Sequence, residues 1–429
     1  MSAKRASTLS ALLMGASFAV FAGTAAVADD VKTITEWDLQ TTPAAVKVIR
    51  DAADRFEATH PGFKVADTHI QNDAYKAKIK IAFGANDAPC IFSSWGGGPL
   101  REYVHANQVL DLTPYLDKDP AFKDRFLAPS FGAVTADGKI YGLPAENSAA
   151  ALIFYNKEMF AKLGLTPPAT WEDLLKVIDV LKSKDIAPFA LANKGKWPGS
   201  MYFVYLADRI GGPDAFAKAV QRKPGGSFED PAFIEAGKRL QELVNAGAFA
   251  KGYNGLDWDV GAARRLMYSD KAAMELMGVW EASIIRGENP DFAKKLGFFP
   301  FPSVPGGKGD PKNVIGTMGD NFVSVSASCP YKDAAVDLIK SITDDKAAAG
   351  RLADGRAMPL KGIKIDDPFV ASMFDLIAKA PSVQLWYDQE LPPKLGELHK
   401  DTTQALFGLS ATPEAAAKQM EEAAKEELK

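Results

Sequence analysis

Apolar positions fall into two alternating patterns along the first hundred residues. Residues 33–37 read as a strand. Over 43–59, Val46, Ile49, Ala53 and Phe56 recur at helical spacing until His60-Pro61-Gly62 ends the run. Residues 63–70 read as a second strand, and Tyr75, Ile79, Ala82 and Phe83 mark a second helix. Residues 90–94 form a third strand that runs into Trp95 and three glycines. Strands alternating with helices at this spacing predict a parallel sheet with helical crossovers. Ligands of such sheets sit beyond the carboxyl ends of the strands, which here carry Trp37-Asp38 and Ser94-Trp95-Gly96.

The pattern changes after Tyr141-Gly142-Leu143-Pro144. Residues 152–155 read as a strand, and Asn156 opens a helix toward Leu163. Thr170 caps a further helix with Leu174, Leu175, Ile178 and Leu181 as its stripe. More helices are expected over 201–210, 231–246, 261–269 and 334–342, with strands over 272–277 and 321–326. Residues 300–309 form a Pro/Gly-rich connector, and a charged helix begins at Pro413. This order describes two α/β lobes, with chain crossings near 142–146, 315–320 and 352–358.

Composition narrows the function. Of 429 residues 47% are apolar and 24% charged, enough for more than one core. A net charge of −4 leaves no basic excess to neutralise phosphates, so nucleic acid is not an expected partner. Two cysteines exclude a disulfide-dense scaffold. The four histidines (His60, His69, His105, His399) show no metal-ligand spacing, and the three glycines after Trp95 lack the Lys-Ser/Thr of a phosphate loop. Neither metal nor cofactor is expected. At the N-terminus, Lys4 and Arg5 precede an apolar stretch over 9–20 that is too short to span a bilayer, and Ala26-Val27-Ala28 follows as a small-x-small site. Residues 1–28 are therefore expected to be a signal peptide, removed after Ala28 to leave a periplasmic chain without a membrane span.

Pro144-Ala145-Glu146-Asn147, followed by LIFYNKEMFAKLGLTPPATWEDLL, resembles the extracellular solute-binding proteins of ABC sugar importers, the maltose-binding-protein-like class. The resemblance continues through GVWEAS at 278–283, FPFPSVPGG at 299–307 and GTMGDNFVSVSAS at 316–328. It implies an α/β, two-lobed periplasmic-binding-protein fold (type II, maltose-binding-like) with a hinge and a central cleft. The N-terminal lobe would comprise 29–143 plus 318–352, and the C-terminal lobe 146–315 plus 356–429. In this class the returning crossover strand lies antiparallel beside the third strand. That arrangement would bring Cys90 and Cys329 to the edge away from the cleft, where a disulfide is expected.

A sugar offers many hydroxyls and flat C–H faces. Its cleft must replace water hydrogen bonds, at about 1–3 kcal/mol for each one lost, and cover those faces with aromatic planes. The candidate ligand-binding residues are Trp37, Asp38, Ser94, Trp95, Gly96, Glu146, Asn147, Trp197, Trp258, Trp280, Glu281, Asp320, Asn321, Arg356, Trp386, Tyr387 and Asp388. Each has a plainer reading: a tryptophan as core, Glu146 as a hinge residue paired with lysine, Arg356 as a surface ion pair, the glycines as a tight turn. Of seven tryptophans, only Trp171 beside its helix cap has a clear structural slot.

The expected function is a non-enzymatic monomeric receptor. It would close on a neutral disaccharide or small oligosaccharide and deliver it to ABC-transporter permease subunits. Two alternatives stand beside it. One is an exported hydrolase using Glu146, Glu281 or Asp388. The other is a binding protein for a non-sugar solute: a polyamine would require several carboxylates, and a phosphorylated polyol an Arg/Lys cluster.

Overall fold

The computed structural model describes residues 31–146 and 149–428; the expected signal peptide and Asn147 lie outside the described residues. The chain forms two α/β lobes. The strands β1 (Lys32–Asp38), β2 (Phe63–His69) and β3 (Ile91–Ser94) are parallel, in the order β2-β1-β3. The hairpin β4 (Thr135–Ala136) and β5 (Lys139–Ile140) lies apart. The second sheet is built on β6 (Ala149–Asn156), which pairs with β8 (Ala272–Gly278), β9 (Leu296–Phe299) and β10 (Val314–Thr317). β7 (Ala187–Phe189) extends it beyond β8. The strand β11 (Phe322–Val325) returns to the first sheet and pairs antiparallel with β3, and β12 (Val383–Gln384) completes the second sheet beside β10.

Local sequence explains the helices that frame the cleft. Thr42 caps the helix Pro43–Thr59 through its hydroxyl, Pro43 pre-sets the first turn, and Ala45, Val48, Ile49, Ala52, Ala53 and Phe56 are buried along one face. The core of the first lobe gathers Ile34, Phe56, Tyr75, Phe92 and Val325; that of the second gathers Phe154, Trp171, Tyr205 and Phe301. Trp171 is structural, with its Nε1 donating to Glu242 Oε2 at 3.0 Å.

The first two crossings run side by side. Leu143 pairs with Val323 and Glu146 with Asp320, the latter through two reciprocal backbone hydrogen bonds of 3.0 Å. The third crossing differs from the expectation near 352–358. Met358 is fully buried in the first lobe's core and Leu360 pairs with Phe126, so the chain stays on that lobe past 356. The spacing of apolar residues there did not reveal which core they enter.

Pairing of Val325 with Ile91 carries the chain onward so that Ser326 N donates to Cys90 O, and Cys90 and Cys329 form a disulfide with Cα atoms 4.7 Å apart. The bond closes a loop with a sequence separation of 239 residues. Removing it restores that loop's freedom to the unfolded chain. Cys90→Ser with Cys329→Ser is expected to lower stability by about 2–5 kcal/mol, measured as the shift in denaturant midpoint.

Candidate functional site

A cavity of about 330 Å³ lies between the lobes, beyond the carboxyl ends of β1 and β3. This is within the range of ordinary small-molecule sites, about 300–1,000 Å³. One wall is a run of indoles from the second lobe. Trp197 meets Trp258 edge-on at 5.1 Å and Trp280 at 6.3 Å, and Trp280 meets Trp386 at 6.1 Å. Trp95 faces them from the first lobe, and the Lys76 ammonium sits 5.0 Å from the Trp95 ring and 5.2 Å from that of Trp197. Burial pulls the Lys76 ammonium below the usual lysine range.

Trp280 and Trp386 stand at helix starts. Trp280 opens the helix Trp280–Glu288, and Trp386 precedes the short helix Tyr387–Glu390. Gly278 makes room for the first: a Cβ there would lie 2.2 Å from Trp280 Cη2. The helix Trp197–Gly211 begins at Trp197 with proline second, so this ring too is fixed by a helix start.

The polar wall is built around Arg356. Its Nη1 donates to Glu146 Oε1 and to Gln40 Oε1 at 2.7 Å, its Nε donates to Asp354 Oδ2 at 2.9 Å, and Gln40 Nε2 donates to Glu146 Oε1 at 3.3 Å. Arg264 is similarly held by Glu288 at 2.9 Å and Glu281 at 3.3 Å. Among the described residues, six buried polar atoms of the lining are left without a protein partner: Trp258 Nε1, Trp280 Nε1, Arg356 Nη2, Asp259 Oδ1, Asn321 Oδ1 and Gln389 Oε1. Three donate and three accept, on residues drawn from both lobes. An unsatisfied buried group costs about 1–3 kcal/mol, so such a set is suited to a ligand rich in hydroxyls. Asn321 adopts φ 46°, a left-handed conformation that asparagine tolerates better than most residues.

Asp320 lies at the hinge, buried in the lining. Burial first, and then the Glu146 carboxylate, push its carboxyl up to about 7. A raised folded-state value favours the neutral form. The stability it allows is complete below about pH 4, where the unfolded chain also holds its proton, and is lost as pH rises to about 7. Melting curves of the wild type relative to Asp320→Asn are expected to fall by a few kcal/mol across that window and to run parallel above it. A flat difference from pH 4 to 8 would count against the assignment.

The structure brings together Trp95, Glu146, Trp197, Trp258, Trp280, Asp320, Asn321, Arg356, Trp386 and Asp388 in one lining. Six further expectations are corrected. Trp37 lies outside, with Lys78 4.1 Å over its ring. Asp38 is buried behind the cleft, where it accepts from His69 at 2.9 Å and from the Gln40 backbone at 2.8 Å. Ser94 lies outside the lining, its backbone paired with Phe322 in the β3–β11 ladder and its Oγ buried. Gly96 turns at φ 74° against the Ala133 carbonyl, so backbone packing needs it rather than a ligand. Glu281 sits behind the wall with Arg264. Tyr387 stacks on Phe216 at 3.6 Å in the second core. All of these but Trp37 lie next to a lining residue in the sequence. Sequence reading missed Gln40, Lys76, Ser200 and Arg264. Gln40 was within reach, two residues past the strand end; the others had no signal beyond a position on a helix.

Two lobes joined by paired hinge segments around an aromatic and polar cleft define a solute-binding receptor. A family model described as bacterial extracellular solute-binding protein matches residues 40–349, and the chain belongs to that family. The chain is similar to the multiple sugar-binding protein of Streptococcus mutans, 25% identical over 325 residues covering 75% of this chain and 73% of that one. It is also similar to the melibiose/raffinose/stachyose-binding protein of Bacillus subtilis, 25% identical over 346 residues covering 78% and 76%. Among solved structures, one described under xylan utilization by a thermophilic Caldanaerobius polysaccharolyticus has a TM-score of 0.85 and 35% identity, over 91% of this chain and 99% of that chain. A chitin oligosaccharide binding protein also has 0.85, with 26% identity over 93% and 99%. Among the described residues, no helix is long and apolar enough to cross a membrane, and no cluster of His, Cys, Asp and Glu is arranged to hold a metal.

Proposed function

We propose that this protein captures a neutral disaccharide or short oligosaccharide in the periplasm and hands it to the permease of an ABC importer. The observation that carries this reading is the gathering of four indoles and, among the described residues, six unpartnered buried polar atoms around one cavity. The matched arginines of the lining argue against an anionic ligand. Arg356 is matched by Glu146 and Asp354, and Arg264 by Glu288 and Glu281. Relatives named for raffinose-series, multiple-sugar and chitin-oligosaccharide binding point the same way. Bending at 143–146, at 317–322 and at the third crossing past residue 360 would open the cleft, with residues 31–142 and 323–360 moving as one lobe. The ligand can favour closure only by binding the closed form more tightly.

The hydrolase alternative has less support. Of its three carboxylates, Glu146 is neutralised by Arg356 and Glu281 faces Arg264 behind the wall, so they do not assemble a pair across a scissile bond. A thermal-shift panel of xylo-oligosaccharides, chito-oligosaccharides and raffinose-series sugars tests the proposal, with polyamines and phosphorylated polyols as the other arms. A true ligand at a hundred times its Kd adds about 2.7 kcal/mol. Calorimetry is expected to show one site and intact sugar. Stabilisation only by a polyamine or a phosphorylated polyol would overturn the reading.

A further inference from the structure

The helix Asn72–Gly84 of the first lobe points its N-terminus across the cleft. Its own cap position, Gln71, makes no side-chain capping hydrogen bond. The second lobe supplies the missing acceptor: Asp73 N donates to Asp259 Oδ2 at 2.9 Å. The Asp73 side chain is received there as well, since Trp197 Nε1 donates to Asp73 Oδ1 at 3.1 Å. The backbone opposite is shaped to admit it. A Cβ on Gly195 would lie 2.4 Å from Asp73 Oδ2, although Gly195 itself has no left-handed backbone to explain its identity.

We propose that Asp73, Asp259 and Gly195 form a latch that holds the lobes closed without help from the ligand. Opening breaks both hydrogen bonds and leaves the helix start uncapped, which costs closure energy that the solute does not have to provide. Asp73 and Gly195 are outside the cavity lining, although both adjoin the lining indole of Trp197, and opening lowers affinity through the fraction of closed receptor, with apparent Kd equal to the intrinsic value divided by that fraction. The latch rests on the receptor reading for the meaning of closure, but not on the identity of the solute.

The test uses the mature chain, refolded from guanidinium to strip any bound solute, and small-angle scattering without added ligand. The wild type is expected to be mainly compact. Asp73→Ala and Gly195→Ala should each move the closed-to-open ratio roughly tenfold toward open, the size of one lost charge-assisted hydrogen bond. The double variant should be no more open than Asp73→Ala alone, because the carboxylate that the new methyl would strike is gone. Single variants that scatter like the wild type, or opening that adds in the double variant, would overturn the latch. Because no solute is present, a failure of the sugar panel leaves this readout unchanged, and the two failures can be told apart.

Discussion

Trp280→Ala is expected to weaken binding of the panel's tightest oligosaccharide by about 2–4 kcal/mol, roughly 30- to 700-fold in Kd. Trp280 is a middle ring of the indole run, in contact with both Trp197 and Trp386, and its Nε1 is one of the six polar atoms without a protein partner among the described residues. Truncation removes a face for the sugar ring and a donor for a hydroxyl, and it releases two neighbouring rings. Trp280→Phe separates these effects, since the face remains and the donor goes; a loss of about tenfold is expected. Isothermal calorimetry at matched ionic strength reads both variants. Wild-type affinity in Trp280→Ala would remove the aromatic wall from the account of binding.

Arg356→Met should cost the most stability, about 3–5 kcal/mol, because it strands the Glu146 carboxylate in a buried site. Among the described residues, only the Gln40 amide, at 3.3 Å, would remain to it. Arg356 also ties the segment after residue 354 to Gln40 at the end of β1, so the polar wall loses its anchor together with the ion pair. Guanidinium melts would read the loss. Glu146→Gln in the same chain is expected to restore part of it by removing the uncompensated charge. Arg356→Lys is not expected to rescue, since one ammonium cannot serve Glu146, Asp354 and Gln40 at once. Stability unchanged in Arg356→Met would mean that Glu146 has another partner.

Much of the architecture was legible because it depends on periodicity and caps. The helix Pro43–Thr59 and the strand β1 lie where the apolar spacing places them, and Asn156 and Thr170 accept from the backbone as caps should. The site was legible only to the level of the loop. Trp280, Trp386 and Trp197 face the cavity because helix starts and Gly278 aim them, and rotation about a helix start does not appear in a string of letters. Asp38 shows the same limit from the other side. It stands at a strand end, as a ligand residue would, yet the two-residue alternation of β1 turns it inward, where it holds Gln40 in place. Lys76 carried no signal at all, since its role depends on two tryptophans, one on each side of the gap.

The placement of β11 has a consequence for how such a chain is made. The first sheet borrows its edge strand from residues 322–325, long after β3 at 91–94, and most of the second lobe is threaded between them. A growing polypeptide therefore carries an unfinished β3 edge through most of its synthesis. Neither half can reach its final form until nearly the whole length has emerged, which favours a slow, late-folding precursor.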